Sequence, residues 1–421
     1  MRRLPLVIRL GRAAKAAVAL SALSAPAPLL RAQARPAPPA APAPPTAAVP
    51  YTLYISSESA DTVTRIEVGP AGWRKVRGIP VGVLPADPDG PHNVAVSPDG
   101  RFWYVSIAHG TPWGSVWKFA TGTDSLLGRV PVGMFPTTVG LSPDGDWAYV
   151  PNSDFHGDRG GRNTLSVLYT PDLRQVNEIP VCDMPHGSRV NHAGTRVYLA
   201  CMMSDELVVL DPSTFGILSR VPLGSGAPMA AGMHGQDAAP AAARPAGADT
   251  ARPAGADAAR PKPGAGAASS TMPGQNPDCL ATYVSVSPDD RLIYLACNHG
   301  NELQVRNAAS FAVERRLATG AGAYNVEPSP DGKWVLVTNK KAQSVSVFDA
   351  RTWAEAARIP TTKRVPHGIA FSPDGRYAFV TQESVGTDPG AVDAIDLTTL
   401  TRVASLALPL QPTGIALWRG H

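Results

Sequence analysis

The chain of 421 residues is 44% hydrophobic and 17% charged, enough apolar side chain for a large core, and it holds only four cysteines. Its 38 Lys and Arg against 34 Asp and Glu give a formal charge of +4, but six of those basic residues (Arg2, Arg3, Arg9, Arg12, Lys15, Arg31) and no acidic ones lie in the first 34 residues. The remainder carries 32 basic against 34 acidic residues, which excludes the basic face that a nucleic-acid or other polyanion binder needs.

Residues 1–34 read as an export signal: a basic "MRRLPLVIRLGRAAK", a short apolar "AAVALSALSAPAPLL", and Ala32 and Ala34 in the small-x-small pattern of a cleavage site near Ala34. Arg2 and Arg3 raise the twin-arginine route, although the residues after them fit that motif poorly. No cysteine follows the cut, against a lipoprotein, and no later apolar run is long enough for a membrane span, so a periplasmic or secreted protein is expected. Residues 35–50, "RPAPPAAPAPPTAAVP", form a Pro/Ala-rich linker with too little apolar side chain to join a core.

From Tyr51 onward the chain repeats itself. "PHNVAVSPDGRFWYVS", "PTTVGLSPDGDWAYVP", "PHGSRVNHAGTRVYLA", "ATYVSVSPDDRLIYLA", "AYNVEPSPDGKWVLVT" and "PHGIAFSPDGRYAFVT" align on turn positions Ser97, Ser142, Asn191, Ser287, Ser329 and Ser372, spaced 45, 49, 96, 42 and 43 residues apart. The double interval holds residues 231–277, an Ala/Pro/Gly insert with a tandem "ARPAGADT/ARPAGADA" and no periodic hydrophobicity; without these 47 residues the interval is 49. Each copy reads as two strands around a tight Ser-Pro-Asp-Gly turn, then a third strand such as "GSVWKFAT" and a fourth such as "LGRVPVG". Four short strands at this period make a propeller blade. The chain starts at "YTLYISS", a second-strand sequence, and ends at "PTGIALW", a first-strand sequence. The prediction is an all-β, seven-bladed propeller over residues 51–418, closed by strand 412–418 beside strand 51–56.

"SPDGRFWYVS", "SPDGDWAYVP" and "SPDGRYAFVT" resemble the YVTN repeats of exported seven-bladed propellers. That resemblance covers about residues 51–418 and implies a fold rather than an activity, because one propeller hosts many functions.

Five residues before each turn position, at the mouth of the channel, stand His92, Thr137, His186, Thr282, Tyr324, His367 and, in the closing strand, Thr413. Loops between second and third strands add His109, His156 and His299 to the same face. Imidazoles from several blades could hold copper, iron or zinc, with His92, His186 and His367 as the first candidates, His109 and His299 next, and Thr137, Thr282 and Tyr324 lining the channel beside them. The plainer alternative is that each Pro-His turn histidine caps a loop or packs between blades. More distantly, the chain is similar to the propeller domain of nitrous-oxide reductase, whose hub holds a histidine-bound copper cluster, and to the eight-bladed domain of haem-bearing nitrite reductases. It lacks paired histidines and any Cys-x-x-Cys-His haem motif. Two residues before the turn, the innermost positions are Ala95, Gly140, Arg189, Ser285, Glu327, Ala370 and Ala416, so Arg189 and Glu327 should line a wet channel or meet a ligand. "DGPHNVAVSPDGRFWYVS" also looks somewhat like the repeats of phosphogluconolactonase-type propellers, a resemblance that implies His, Glu and Arg chemistry in the channel.

Three functions therefore stand: a binding protein for a small molecule, metal or protein partner at a histidine-lined mouth; a copper- or iron-dependent oxidoreductase there; and a lactonase-type hydrolase. Cys182 and Cys279 precede first strands, while Cys201 and Cys297 end the second strands of the same two blades. Those strands are neighbours, so disulfides Cys182 to Cys201 and Cys279 to Cys297 are expected. The rival is a soft copper site using Cys182 and Met184 beside His186, which requires a free thiolate.

Overall fold

A computed structural model describes residues 44–83, 88–109, 114–155, 163–224 and 277–420. The proposed signal, most of the linker, nearly all of the 231–277 insert and His156 lie outside them. The described residues form seven four-stranded antiparallel sheets. The innermost strands are Pro412–Trp418 in blade 1, Pro91–Val96 in blade 2, Gly140–Leu141 in blade 3, Pro185–Val190 in blade 4, Ala281–Val286 in blade 5, Ala323–Pro328 in blade 6 and Pro366–Phe371 in blade 7. Closure occurs as the repeat phase requires: Pro412–Trp418 pairs with Tyr51–Ser57 in the register Thr52 to Trp418 through Ser57 to Pro412.

The turn explains the regularity. In the second blade Ser97 Oγ donates to Asp99 Oδ1 at 2.5 Å and accepts from Phe102 N at 3.0 Å, while Gly100 takes a φ of +72°. The same Ser-to-Asp bond recurs at Ser142, Ser287, Ser329 and Ser372. Serine, aspartate and glycine thus satisfy a bend whose backbone groups would otherwise be left to water.

Alternation along the second strands sends side chains into both neighbouring interfaces, so apolar cores lie between blades. Tyr54, Val63 and Ile79 of blade 1 pack with Val94, Trp103 and Phe119 of blade 2, where the Trp103 and Phe119 rings stack at 4.0 Å. Tyr51, Leu53 and Ile55 meet Tyr377, Phe379 and Val392 of blade 7 across the closing interface. Burial of this kind stabilises by about 25 cal/mol per Å² of apolar surface, and every blade depends on both neighbours for it. The outermost strands, such as Val313–Ala318, are largely exposed.

Both expected disulfides are present, Cys182 with Cys201 and Cys279 with Cys297, and they tie the lead-in loops of blades 4 and 5 to their second strands. The soft copper site at Cys182 and Met184 is thereby excluded, because a bridged sulfur offers no thiolate. No helix among the described residues is long and apolar enough to cross a membrane.

Candidate functional site

Each blade is laced to the next at the histidine end of the hub. The backbone carbonyl of every ring residue accepts a side-chain hydrogen bond from the preceding blade. Ser56 donates to His92 at 3.1 Å, Ser106 to Thr137 at 2.9 Å, Thr137 to His186 at 2.6 Å, His186 Nδ1 to Thr282 at 2.9 Å, Thr282 to Tyr324, Thr338 to His367 at 3.1 Å, and Thr381 to Thr413 at 2.6 Å. The donors follow a rule. Where the second strand supplies a hydroxyl (Ser56, Ser106, Thr338, Thr381), it makes the bond; in blades 3, 4 and 5 the equivalent residues are Pro151, Ala200 and Ala296, and the ring residue makes it instead.

This rule separates the expected site residues by role. Thr137, Thr282 and His186 are committed to the lacing. His186 is committed twice, because its Nδ1–H bonds the Thr282 carbonyl and its Nε2 accepts from Tyr324 Oη at 3.1 Å. Burial, then His92 and Lys340, push its pKa down to about 3, so the neutral tautomer that this pairing needs is the one held. Burial and the adjacent Tyr283 and Glu383 hold the Tyr324 phenol well above its ordinary range and keep it a donor.

The side chains of His92 and His367 are not used for lacing. Their rings meet edge to face with centroids 5.5 Å apart, and His367 lies 4.6 Å from Tyr324. His92 Nδ1 bonds Glu58 Oε2 at 3.0 Å, and His109 Nε2 bonds Glu58 Oε1 at 2.9 Å, so the two histidines share one carboxylate. Burial raises the Glu58 pKa, but the two imidazoles outweigh it and hold the carboxyl well below the usual range. His92 Nε2 and both His367 nitrogens are buried without a hydrogen-bond partner, and Glu383 Oε1 stands 3.9 Å from His367 Nε2. Burial first, then Lys340, His92 and His186, push the His367 pKa well below its ordinary value. His299 stands apart: it is exposed and pairs with the Pro277 carbonyl at 2.8 Å.

Sequence reasoning missed Glu58, Lys340, Glu383 and Tyr283. The first three share one register, the residue immediately after each second strand, whose other members are Ala108, Ser153, Met202 and Asn298. Reading that register, one residue before His109 and His299, would have found them. Lys340 Nζ lies 2.6 Å from Glu383 and 3.5 Å from the centre of the Tyr324 ring. Tyr283 follows the ring position Thr282, and its ring packs 5.1 Å from His186 and 5.4 Å from Tyr324.

The ring residues therefore fill the hub at this end: His92, His186, His367, Tyr283 and Tyr324 are all buried. On their far side a cavity of about 660 Å³ begins at Asn93, Tyr283, Asn325 and Gly368 and extends to the turn prolines Pro98, Pro143 and Pro330. Arg189 and Glu327 line it as an ion pair, with Ser285 Oγ donating to the second carboxylate oxygen at 2.9 Å. Tyr283 Oη, Asn325 Oδ1 and Arg189 Nε are buried without a hydrogen-bond partner.

The rings of the three leading candidate histidines gather around His92, 5.7 Å from His186 and 5.5 Å from His367 between centroids. Among the described residues, one group of three ligand-type atoms lies within 4.8 Å of one another, at Cys182, Cys201 and Glu206, where the sulfurs are bridged.

No protein-family profile and no curated protein sequence matches the chain. Solved structures share its fold. Hydrazine synthase of Kuenenia stuttgartiensis aligns over 80% of this chain and 93% of its own, at TM-score 0.56 and 18% identity. A 6-phosphogluconolactonase-like protein of Bacteroides uniformis covers 87% of this chain and 99% of its own, at TM-score 0.62 and 14% identity. The dihydro-haem d1 dehydrogenase NirN, in complex with DHE, covers 89% and 77%, at TM-score 0.53 and 17% identity. At these identities the likeness is one of fold alone.

Proposed function

We propose that the chain is an exported propeller that binds a small polar ligand in its hub, on the cavity side of the histidine and tyrosine layer. One observation carries this reading. Polar side-chain atoms of Tyr283, Asn325 and Arg189, all of which line a 660 Å³ cavity, are buried without partners, as are those of His92 and His367 in the layer behind it, in a hub whose seven ring carbonyls are all bonded. Buried polar groups are ordinarily satisfied, so such a cluster calls for a ligand or ordered water. The two disulfides suit an oxidising compartment and support residues 1–34 as an export signal; residues 35–50 would then be the linker that follows it. We assign residues 231–277 to an insert outside the blade repeat.

The test is crystals of the mature protein soaked with small acids, amines, amino acids and sugars. Ordered occupancy in the hub, lost in Tyr283→Phe combined with Asn325→Leu, is expected. Occupancy confined to the outer surface would sink the reading.

The rival metal-dependent oxidoreductase draws support from one geometry: Glu58 fixes Nδ1 of His92 and leaves Nε2 open, the way carboxylates orient metal-bound imidazoles. Copper or iron at His92 and His367 would appear as near-stoichiometric metal in the purified native protein, abolished in the His92→Ala, His367→Ala double variant. The hydrolase reading keeps Arg189 and Glu327 as its polar groups and is tested by turnover of δ-gluconolactone.

A further inference from the structure

The charges on the cavity wall restrict what the hub can recognise. At the innermost register, Arg189 comes from blade 4 and Glu327 from blade 6, against Ala95, Gly140, Ser285, Ala370 and Ala416 elsewhere. The two are joined through Arg189 Nη2 and Glu327 Oε1. Their side chains are 37% and 19% exposed, so the pair is accessible from the cavity. Arg419, also on the cavity lining, is exposed and therefore well screened.

A ligand carrying only a negative charge would satisfy Arg189 by drawing it from Glu327, leaving that carboxylate with Ser285 alone. A ligand carrying only a positive charge would do the reverse. A bound ligand displaces the water that screens the pair in the open cavity, so a singly charged ligand leaves one half desolvated without a partner, and the site discriminates against either kind of single charge. A molecule with both charges adds a partner to each half. Its carboxylate can take the exposed part of the Arg189 guanidinium, and its ammonium can take Glu327. Deeper in the cavity, Asn325 and Tyr283 are each only 5% exposed, and their unpartnered atoms add an acceptor, Oδ1, and a donor, Oη. At roughly 30 Å³ per water, the cavity has room for a ligand well beyond a single amino acid.

We propose, building on the hub-binding reading, that the Arg189–Glu327 cavity recognises a zwitterion of amino-acid to short-peptide size through paired carboxylate and ammonium contacts.

Titration calorimetry of the mature protein with matched probes tests this: L-alanine against L-lactate, and Ala-Ala against N-acetyl-Ala-Ala and Ala-Ala-amide. The zwitterion of each set should bind at least about tenfold tighter than its singly charged analogues. Glu327→Gln should shift preference toward the N-acetyl dipeptide and Arg189→Met toward the amide, with both variants melting cooperatively. Equal or tighter binding of lactate or the N-acetyl dipeptide by the native protein overturns the proposal, as does absence of binding by every zwitterion. If soaked crystals then hold a sugar, lactone or simple acid in the hub, hub binding stands and the zwitterion assignment alone fails. An empty hub across the whole soak set removes both.

Discussion

The hub has two ends built on the same seven inner strands. At the histidine end, hydroxyls and one imidazole lace each blade to the next, and aromatic and imidazole rings fill the axis. At the turn end, mostly small residues surround a cavity into which Arg189 and Glu327 project. The repeat dictates the lacing, so substitutions at the first end should cost stability. The second end departs from the repeat at two positions, so substitutions there should change binding and leave folding nearly intact.

The harshest way to break the contrast is to remove residues 412–421, which takes the inner strand of blade 1 from both ends at once. Tyr51–Ser57 would become an open edge and the Leu53, Ile55 and Phe379 core would lose Ile415. Loss of cooperative melting and aggregation are expected, measured by circular dichroism and size-exclusion chromatography, because unpaired edges recruit other chains. A monomeric variant with a sharp melt would show that closure is dispensable.

Replacing a cysteine pair by alanine acts on the histidine end alone. Each bridge spans 18 or 19 residues of sequence, and loops of this size stabilise by about 3 kcal/mol in the chain-entropy account. Urea denaturation of Cys182→Ala with Cys201→Ala should show a loss of that order, with faster amide exchange in the lead-in loop of blade 4. A loss below about 1 kcal/mol would show that the loop is held by other contacts.

Much of this end was legible in the sequence. Blade count, closing strand and cysteine pairing follow from repeat phase, because a strand's place in a blade sets its neighbours. The Thr and His positions were also legible, but their roles were not. Whether His186 binds a ligand or laces the ring depends on Ala200 beside it lacking a hydroxyl, a relation between two registers that a single aligned column does not display. Glu58 was hidden because its blade is assembled from both termini, so the repeat containing it has no turn serine of its own to align on.

His186 and His367 sharpen the comparison within one end. His186→Leu strands the Thr282 carbonyl and the Tyr324 hydroxyl in a buried layer, at roughly 1–3 kcal/mol each. His367→Leu removes no hydrogen bond made by the ring, so its cost should stay within about 1 kcal/mol. Chemical denaturation separates the two, and equal costs would mean that both imidazoles serve packing alone.

The same histidines set a pH dependence. Their folded pKa values lie below the ordinary 6.5, so below that pH the unfolded chain takes up protons that the folded one refuses. Stability is full above about pH 6.5 and falls as pH drops toward about 3, by up to about 1.4 kcal/mol per pH unit for each histidine. Glu58, with its pKa lowered in the fold, acts in the same direction below its ordinary range. In His367→Leu the slope between pH 6 and pH 4 should shrink, and an unchanged slope would show that this imidazole titrates as freely folded as unfolded.

The smallest stability effect belongs to the turn end. Glu327→Gln removes a charge that is 19% exposed and bonded to Arg189 and Ser285, and glutamine retains an oxygen for either donor. Arg189 is 37% exposed, so water can screen the guanidinium left behind. Partly solvated pairs contribute in the range of about 0–1 kcal/mol, and the change in melting free energy should fall there. The same substitution should alter ligand preference by about tenfold, a ratio equivalent to about 1.4 kcal/mol of binding free energy. A stability loss comparable to that of His186→Leu would mean that the ion pair braces blades 4 and 6 across blade 5, and the turn end would then be scaffold like the other.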